Sequence, residues 1–178
     1  IGYAIPGTVL AVGLLVPIAG LDNWIANAVK GVWGRSPGLI LMSSGAALVL
    51  AYCLRFQAIT IGGIESGFSR ISPSIDMAAR SLGAGTARLS GGIHMPLLSP
   101  AIAAAGLLVF VDCMKELPAT LLLRPFNFET LATYVYGEAA RGTYEDGAIA
   151  ALVIVFAGML PVALLARAGT RERRRPLA

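Results

Sequence analysis

Four apolar runs dominate the chain, at residues 4–19, 37–54, 97–114 and 147–166, and Asp112 is the one charged residue inside them. About 20 mostly apolar residues cross the hydrocarbon layer of a bilayer as a helix. Away from water, only a helix or a closed barrel satisfies every backbone polar group. The runs therefore predict four transmembrane helices. The first is short and carries Pro6 and Pro17, which membrane helices tolerate. Composition points the same way: 56% of the 178 residues are hydrophobic and only 13% are charged, against roughly a quarter charged in soluble domains. That balance excludes a disordered chain, and two cysteines are too few for a disulfide framework. The net charge of +4 comes from basic residues set between the apolar runs and at the C-terminus. Such placement marks membrane topology rather than a nucleic-acid-binding face. The expected fold is all-α, a polytopic membrane helix bundle. The chain opens at Ile1 without Met and reads as a piece of a longer protein, truncated at its N-terminus.

Charge orients the expected spans. Successive spans alternate sides, so residues 55–96 and a basic tail at 167–178 share one face. That face holds Arg55, Arg70, Arg80, Arg88 and the tail arginines, whereas Lys30, Arg35, Lys115, Arg124 and Arg141 fall opposite with most of the acids. The excess of basic residues places the first face in the cytoplasm, together with the N-terminus. Between the first two runs, Leu21, Trp24, Ile25, Ala28 and Val32 fall at helical spacing. Residues 21–35 read either as an amphipathic helix on the membrane surface or as an ordinary packed connector.

The cytoplasmic segment carries a punctuated motif. Ser72 is a good N-cap, Pro73 suits the first helical position, and Gly83 suits the left-handed residue that closes a helix. Ile75, Ala78, Ala79 and Leu82 form an apolar stripe at i, i+3, i+4, i+7, and Asp76 stands four residues before Arg80. The spacing predicts a short capped helix over residues 73–82. After it come small residues from Ala84 to Gly92, then Ile93-His94-Met95-Pro96 and the next span. A short rigid knob of this kind suits docking against a partner surface.

Met77-Ala78-Ala79, then Gly83, then Ile93 and Pro96 resemble the EAA loop of binding-protein-dependent ABC transporter permeases. That pattern is Glu-Ala-Ala, three residues, Gly, nine residues, Ile, one residue, Leu-Pro, and the spacing here matches throughout. Met77 stands where the family has Glu and Met95 where it has Leu, with Asp76 supplying an acid next door. The resemblance extends over most of the chain, and the stretches outside the loop resemble the iron(III)-type permeases. Gly2–Ala11 resembles the start of a core span, and Asp112-Cys-Met-Lys-Glu-Leu-Pro-Ala-Thr-Leu-Leu-Leu-Arg-Pro125 the stretch after the EAA loop. Phe128–Ala132 and Tyr144–Ala148 continue it. The piece is similar to the C-terminal part of the second half of such a permease.

The resemblance implies a type-1 importer subunit in the bacterial inner membrane. Two permease halves form the pathway, a pair of ABC ATPase subunits sits on the cytoplasmic face, and a periplasmic substrate-binding protein delivers cargo. Ferric iron is the first candidate, with thiamine, polyamine, phosphonate or sulfate as alternatives. Asp76, Met77, Ala78, Ala79, Gly83, Ile93 and Pro96 are then expected to face the ATPase. No cofactor is expected in this chain: it lacks the G-x-x-x-x-G-K-[ST] loop that cradles nucleotide phosphates, so ATP falls to the partner. No catalytic residue and no nucleic-acid partner are expected either.

Acids at membrane depth are costly and point to function by default. Asp112 and Glu116, at the outer end of the third span, are candidates for the pathway or for contact with the delivery protein. The alternatives are a structural role at the interface or, in a different class of protein, acid and base of a membrane-embedded enzyme. Tyr134, Tyr136, Glu138 and Glu116 are hard oxygen donors of the kind ferric iron prefers, but no resident metal site is expected. His94 is the only histidine and lies within the docking segment, and Cys53 and Cys113 lie on different spans.

Overall fold

A computed structural model describes residues 2–173, with side chains from Tyr3 to Leu164. Helix accounts for 79% of the chain, and no strand occurs among the described residues. After a 3₁₀ turn at Gly2–Ala4 come α1 (Gly7–Trp33), α2 (Ala46–Phe68), α3 (Pro73–Ser81) and α4 (Thr86–Leu89). A π-turn at Ser90–His94 leads into α5 (Met95–Met114), followed by α6 (Pro118–Leu123), α7 (Leu131–Arg141) and α8 (Tyr144–Arg173). Four stretches are long and apolar enough to cross a membrane: Gly7–Trp33, Ala46–Phe68, Thr86–Met114 and Tyr144–Leu164. The architecture is the all-α polytopic one. Most large apolar side chains on these helices remain exposed in the chain by itself, as expected where lipid or other subunits replace water around a helix.

The boundaries depart from the apolar runs in instructive ways. The first run and the amphipathic segment at 21–35 are one continuous helix of 27 residues, α1, about 40 Å long at 1.5 Å per residue. Asp22 does not interrupt it, because its carboxylate is fully bonded to backbone N–H groups of the following connection. Gly34, at φ +70°, ends the helix, and its N–H donates to the Lys30 carbonyl at 2.9 Å.

The second helix starts at Ala46, not near 37, and runs on to Phe68. Residues 37–45 are held out of it by Pro37, Gly38 at φ +76° and the bonds to Asp22. In the same segment the Ser43 and Ser44 hydroxyls donate to the Leu39 and Leu41 carbonyls. Arg55, expected at the cytoplasmic edge of a span, therefore lies inside α2. α5 stops at Met114, and Pro118 opens α6 as its first residue. The fourth helix begins three residues early, with Glu145 and Asp146 in its first turn, where the helix dipole favours acids. It continues to Arg173, so the expected tail is helical that far. Residues 174–178 and the side chains of the basic run lie outside the described residues.

The chain forms two compact units, residues 1–57 with 111–178, and residues 58–110. In the first, Ala11, Leu48, Ala51, Ala119 and Leu123 make a small buried core, flanked by Leu14, Leu15 and Tyr52. α6 packs on α1 and α7 on α8. The Tyr52 hydroxyl meets that of Thr120. Thr130 and Thr133 cap α7 reciprocally: the Thr130 N–H donates to the Thr133 hydroxyl at 2.9 Å and the Thr133 N–H to the Thr130 hydroxyl at 3.3 Å.

In the second unit the end of α2 lies close against α5. A Cβ added at Gly63 would stand 2.8 Å from Ala105 Cβ, and one at Gly67 2.7 Å from Ala101 Cβ and 2.9 Å from Leu98 Cδ2. Gly63-x-x-x-Gly67 facing Ala101-x-x-x-Ala105 is the small-residue spacing that lets membrane helices approach backbone to backbone.

Candidate functional site

The connection between α2 and α5 builds a compact surface around α3. Local sequence dictates the helix. The Ser72 hydroxyl accepts from the Ser74 N–H at 3.4 Å, Pro73 occupies the first helical position, and Leu82 caps the other end. Gly83 follows at φ +79°, a conformation that a residue with a Cβ adopts only under strain. The helix runs Pro73–Ser81, within a residue of the sequence expectation.

The expected apolar stripe turns mostly outward. Ala79 alone on α3 is buried, at 7% exposure, while Ile75, Ala78 and Met77 are exposed and Leu82 is 87% exposed. Beside them lies a hollow of about 320 Å³ lined by Ala79, Leu82, Ala84, Arg88, Gly92 and Ile93. Of the residues expected to face a partner, Met77, Ala78, Gly83 and Pro96 are exposed and Asp76 and Ile93 half-buried. Ala79 and Ile93 line the hollow rather than its rim of free surface.

Asp76 takes a partner that sequence spacing did not suggest. Its Oδ1 lies 2.8 Å from His94 Nε2, and the i, i+4 pairing with Arg80 is not among the ion pairs of the described residues. The His94 ring stands edge-on to Phe68, with centroids 5.3 Å apart.

Asp112 and Glu116 are both engaged. Lys115 Nζ lies 2.8 Å from Asp112 Oδ1, and that carboxylate raises the Lys115 ammonium above the usual lysine range. Glu116 is buried, at 7% exposure, with its Oε2 3.1 Å from Arg55 Nε. Its Oε1 accepts from the Ala119 N–H at 3.2 Å, in the first turn of α6. Arg55 Nη1 also donates to the Ile5 carbonyl at 2.9 Å. Gly7 leaves the room this needs, since a Cβ there would fall 2.6 Å from Glu116 Oε1.

Asp22, which no motif marks, is completely buried on α1. Its Oδ1 accepts from the N–H groups of Ile40 and Leu41 at 2.8 and 2.7 Å, and Oδ2 from that of Met42 at 2.7 Å. The connection after α1 thus folds back along roughly 16 Å of that helix, eleven residues at the helical rise. Sequence alone carries no signal for this network, because Asp22 stands among Asn23, Asn27 and Lys30 like any residue of a polar face.

The oxygen donors considered for iron are either bound to other protein groups or exposed. Glu138 is buried and bound by the Thr143 hydroxyl and Arg141, which hold its carboxyl below the usual range. Tyr134 and Tyr136 are exposed. No group of three or more His, Cys, Asp or Glu side chains placed to hold a metal ion occurs among the described residues.

Comparison with known proteins gives consistent relatives. The chain is 30% identical over 118 residues to the Fe(3+)-transport system permease protein FbpB 2 of Haemophilus influenzae, covering 66% of this chain and 23% of the relative. It is 31% identical over 137 residues to the putative 2-aminoethylphosphonate transport system permease protein PhnV of Salmonella typhimurium, covering 76% and 52%. A probable ABC transporter permease protein, y4fN of Sinorhizobium fredii, is 26% identical over 167 residues, covering 92% and 27%. The chain thus spans about a quarter of the iron relative's length and about half of the phosphonate relative's. No protein-family model matches the chain.

Proposed function

The chain belongs to the ABC transporter permeases, and from that premise we propose that it lines part of the pathway of a binding-protein-dependent importer and docks a separate ATPase through α3. It is a polytopic protein of the inner membrane. Its relatives are transport permeases rather than enzymes. The connection carrying α3 lies in the cytoplasm, by the excess of arginine on that side.

One observation carries the docking reading. A short helix, capped at its start and closed by a left-handed glycine, exposes Ile75, Met77, Ala78 and Leu82 beside a hollow of about 320 Å³. Apolar side chains on a cytoplasmic surface have no lipid to cover them, so a protein partner is the economical cover. Rigid-body closure of the ATPase pair would push this knob and rock the spans. A second permease half completes the pathway, and a periplasmic binding protein brings the substrate.

Ferric iron is the cargo proposed first, supported by the resemblance to iron(III)-type permeases and by the relative named for Fe(3+) transport. The relatives named for 2-aminoethylphosphonate transport favour phosphonate as the second reading. Replacing Leu82 by Asp in the full permease tests the docking: the protein should insert at normal abundance, yet lose both the co-purifying ATPase and substrate uptake. Uptake of radiolabelled ferric iron against growth on 2-aminoethylphosphonate, in a strain lacking the permease, separates the two cargoes.

A further inference from the structure

α3 is held to the rest of its unit by few contacts. Ala79 is its one buried residue, and the Ala84 N–H donates to the Ala79 carbonyl at 3.0 Å. The covalent route from α3 to α5 passes through Gly83, Gly85, Gly91 and Gly92. Gly83 and Gly85 lie outside the helices, where glycine backbone is the most permissive of all, so a push along that route dissipates there in local rotation. The route also includes the π-turn Ser90–His94, in which the Met95 N–H reaches back to the Ser90 carbonyl. Such wide turns recur where a helix must yield or adapt.

One side-chain link bypasses this compliant stretch. Asp76 lies on α3, and His94 is the residue immediately before α5. Their 2.8 Å hydrogen bond joins the two elements directly across eighteen positions of sequence. His94 is only 16% exposed and is braced by Phe68, the last residue of α2. Its ring therefore meets the end of α2 and the docking helix at the point where the chain enters α5. α5 in turn abuts α2 along Ala101 and Ala105, so a displacement delivered at His94 meets a close-packed helix pair.

We infer that Asp76 and His94 form a strut that carries displacement of α3 into α5. They are positioning residues: neither touches cargo or nucleotide. The inference rests on the docking proposed for α3, and deepens it by naming how the motion leaves that helix.

The test uses the full permease assembled with its ATPase, with Cys53 and Cys113 replaced and Ser99→Cys placed as a reporter on the exposed side of α5. The readout is the ATP-dependent change in the rate at which a maleimide labels the reporter. His94→Leu keeps an apolar contact with Phe68 and removes the hydrogen bond, while His94→Gln keeps an amide able to donate to Asp76. With His94→Leu the ATPase should still co-purify and hydrolyse ATP, and the ATP-dependent change in labelling should fall about fivefold or more, within the usual range of coupling energies. His94→Gln should restore most of it. An undiminished change in His94→Leu overturns the strut, and so does a His94→Gln variant as defective as His94→Leu. If the ATPase fails to assemble with the unmutated permease, the docking reading itself falls, a distinct outcome.

Discussion

Arg55 and Glu116, sixty-one positions apart, form an ion pair with Arg55 Nε 3.1 Å from Glu116 Oε2. The pair gathers three chain segments, since Arg55 lies within α2, Glu116 precedes α6, and the Ile5 carbonyl ahead of α1 accepts from the same guanidinium. An arginine inside a membrane-spanning helix is costly unless protein supplies its counter-charge, and Glu116 supplies it.

Removing one partner strands the other. Glu116→Leu alone should destabilise the folded chain by about 3–5 kcal/mol, the usual cost of an uncompensated buried charge, and Arg55→Met alone should also destabilise it. Arg55→Met combined with Glu116→Leu should recover most of that loss. Thermal unfolding of the purified protein in detergent, run as a double-mutant cycle, measures both; simple additivity of the two single losses would contradict the pairing.

Asp22→Asn should loosen the connection that returns along α1. Asparagine turns an N–H₂ group toward donors that now meet a carboxylate oxygen, and hydrogen bonds to a charged acceptor are worth about 1.5–3 kcal/mol each. Hydrogen exchange at the Ile40, Leu41 and Met42 amides should accelerate while that of the α6 amides stays unchanged. Equal protection in the variant would show that Asp22 does not hold the segment.

How far these features were legible in sequence depends on how local they are. Ser72, Pro73 and Gly83 act on neighbouring backbone, and the helix they bracket is observed at Pro73–Ser81. Apolar runs likewise announced four helices. Their ends were misplaced wherever a distant partner changes what a residue tolerates. Arg55 looked like an edge because hydropathy sees its charge but not Glu116. Asp22 looked like part of a surface face because its three donors lie eighteen to twenty residues away. Asp76 stood at good spacing for Arg80, yet the turn after α4 brings His94 within 2.8 Å of it.

Gly67→Ala tests the close approach of α2 and α5. The added Cβ would press on Ala101 Cβ at 2.7 Å and Leu98 Cδ2 at 2.9 Å, forcing the helices apart at a cost of about 1–3 kcal/mol. Gly62→Ala, where a Cβ meets nothing within 4 Å, is the matched control. A lower melting temperature is expected for the first variant alone.

Glu138 makes part of the stability depend on pH. The Thr143 hydroxyl and Arg141 lower its folded pKa, so its contribution is present above the unfolded value, about 4.3 for a glutamate. It is lost as pH falls through the lower folded value. Glu138→Gln should therefore unfold at a lower temperature than the parent near neutral pH, and the gap should close under acid conditions. A gap that is constant or widens with acidification would contradict the assignment.

The most direct measurement places a benzophenone maleimide on Ala78→Cys in the full permease, with Cys53 and Cys113 replaced, in cells producing the ATPase. Irradiation should attach the ATPase to this position, and a membrane-impermeant thiol reagent added outside intact cells should leave the cysteine unlabelled. No ATPase adduct at normal permease abundance, or labelling from outside, would contradict the account.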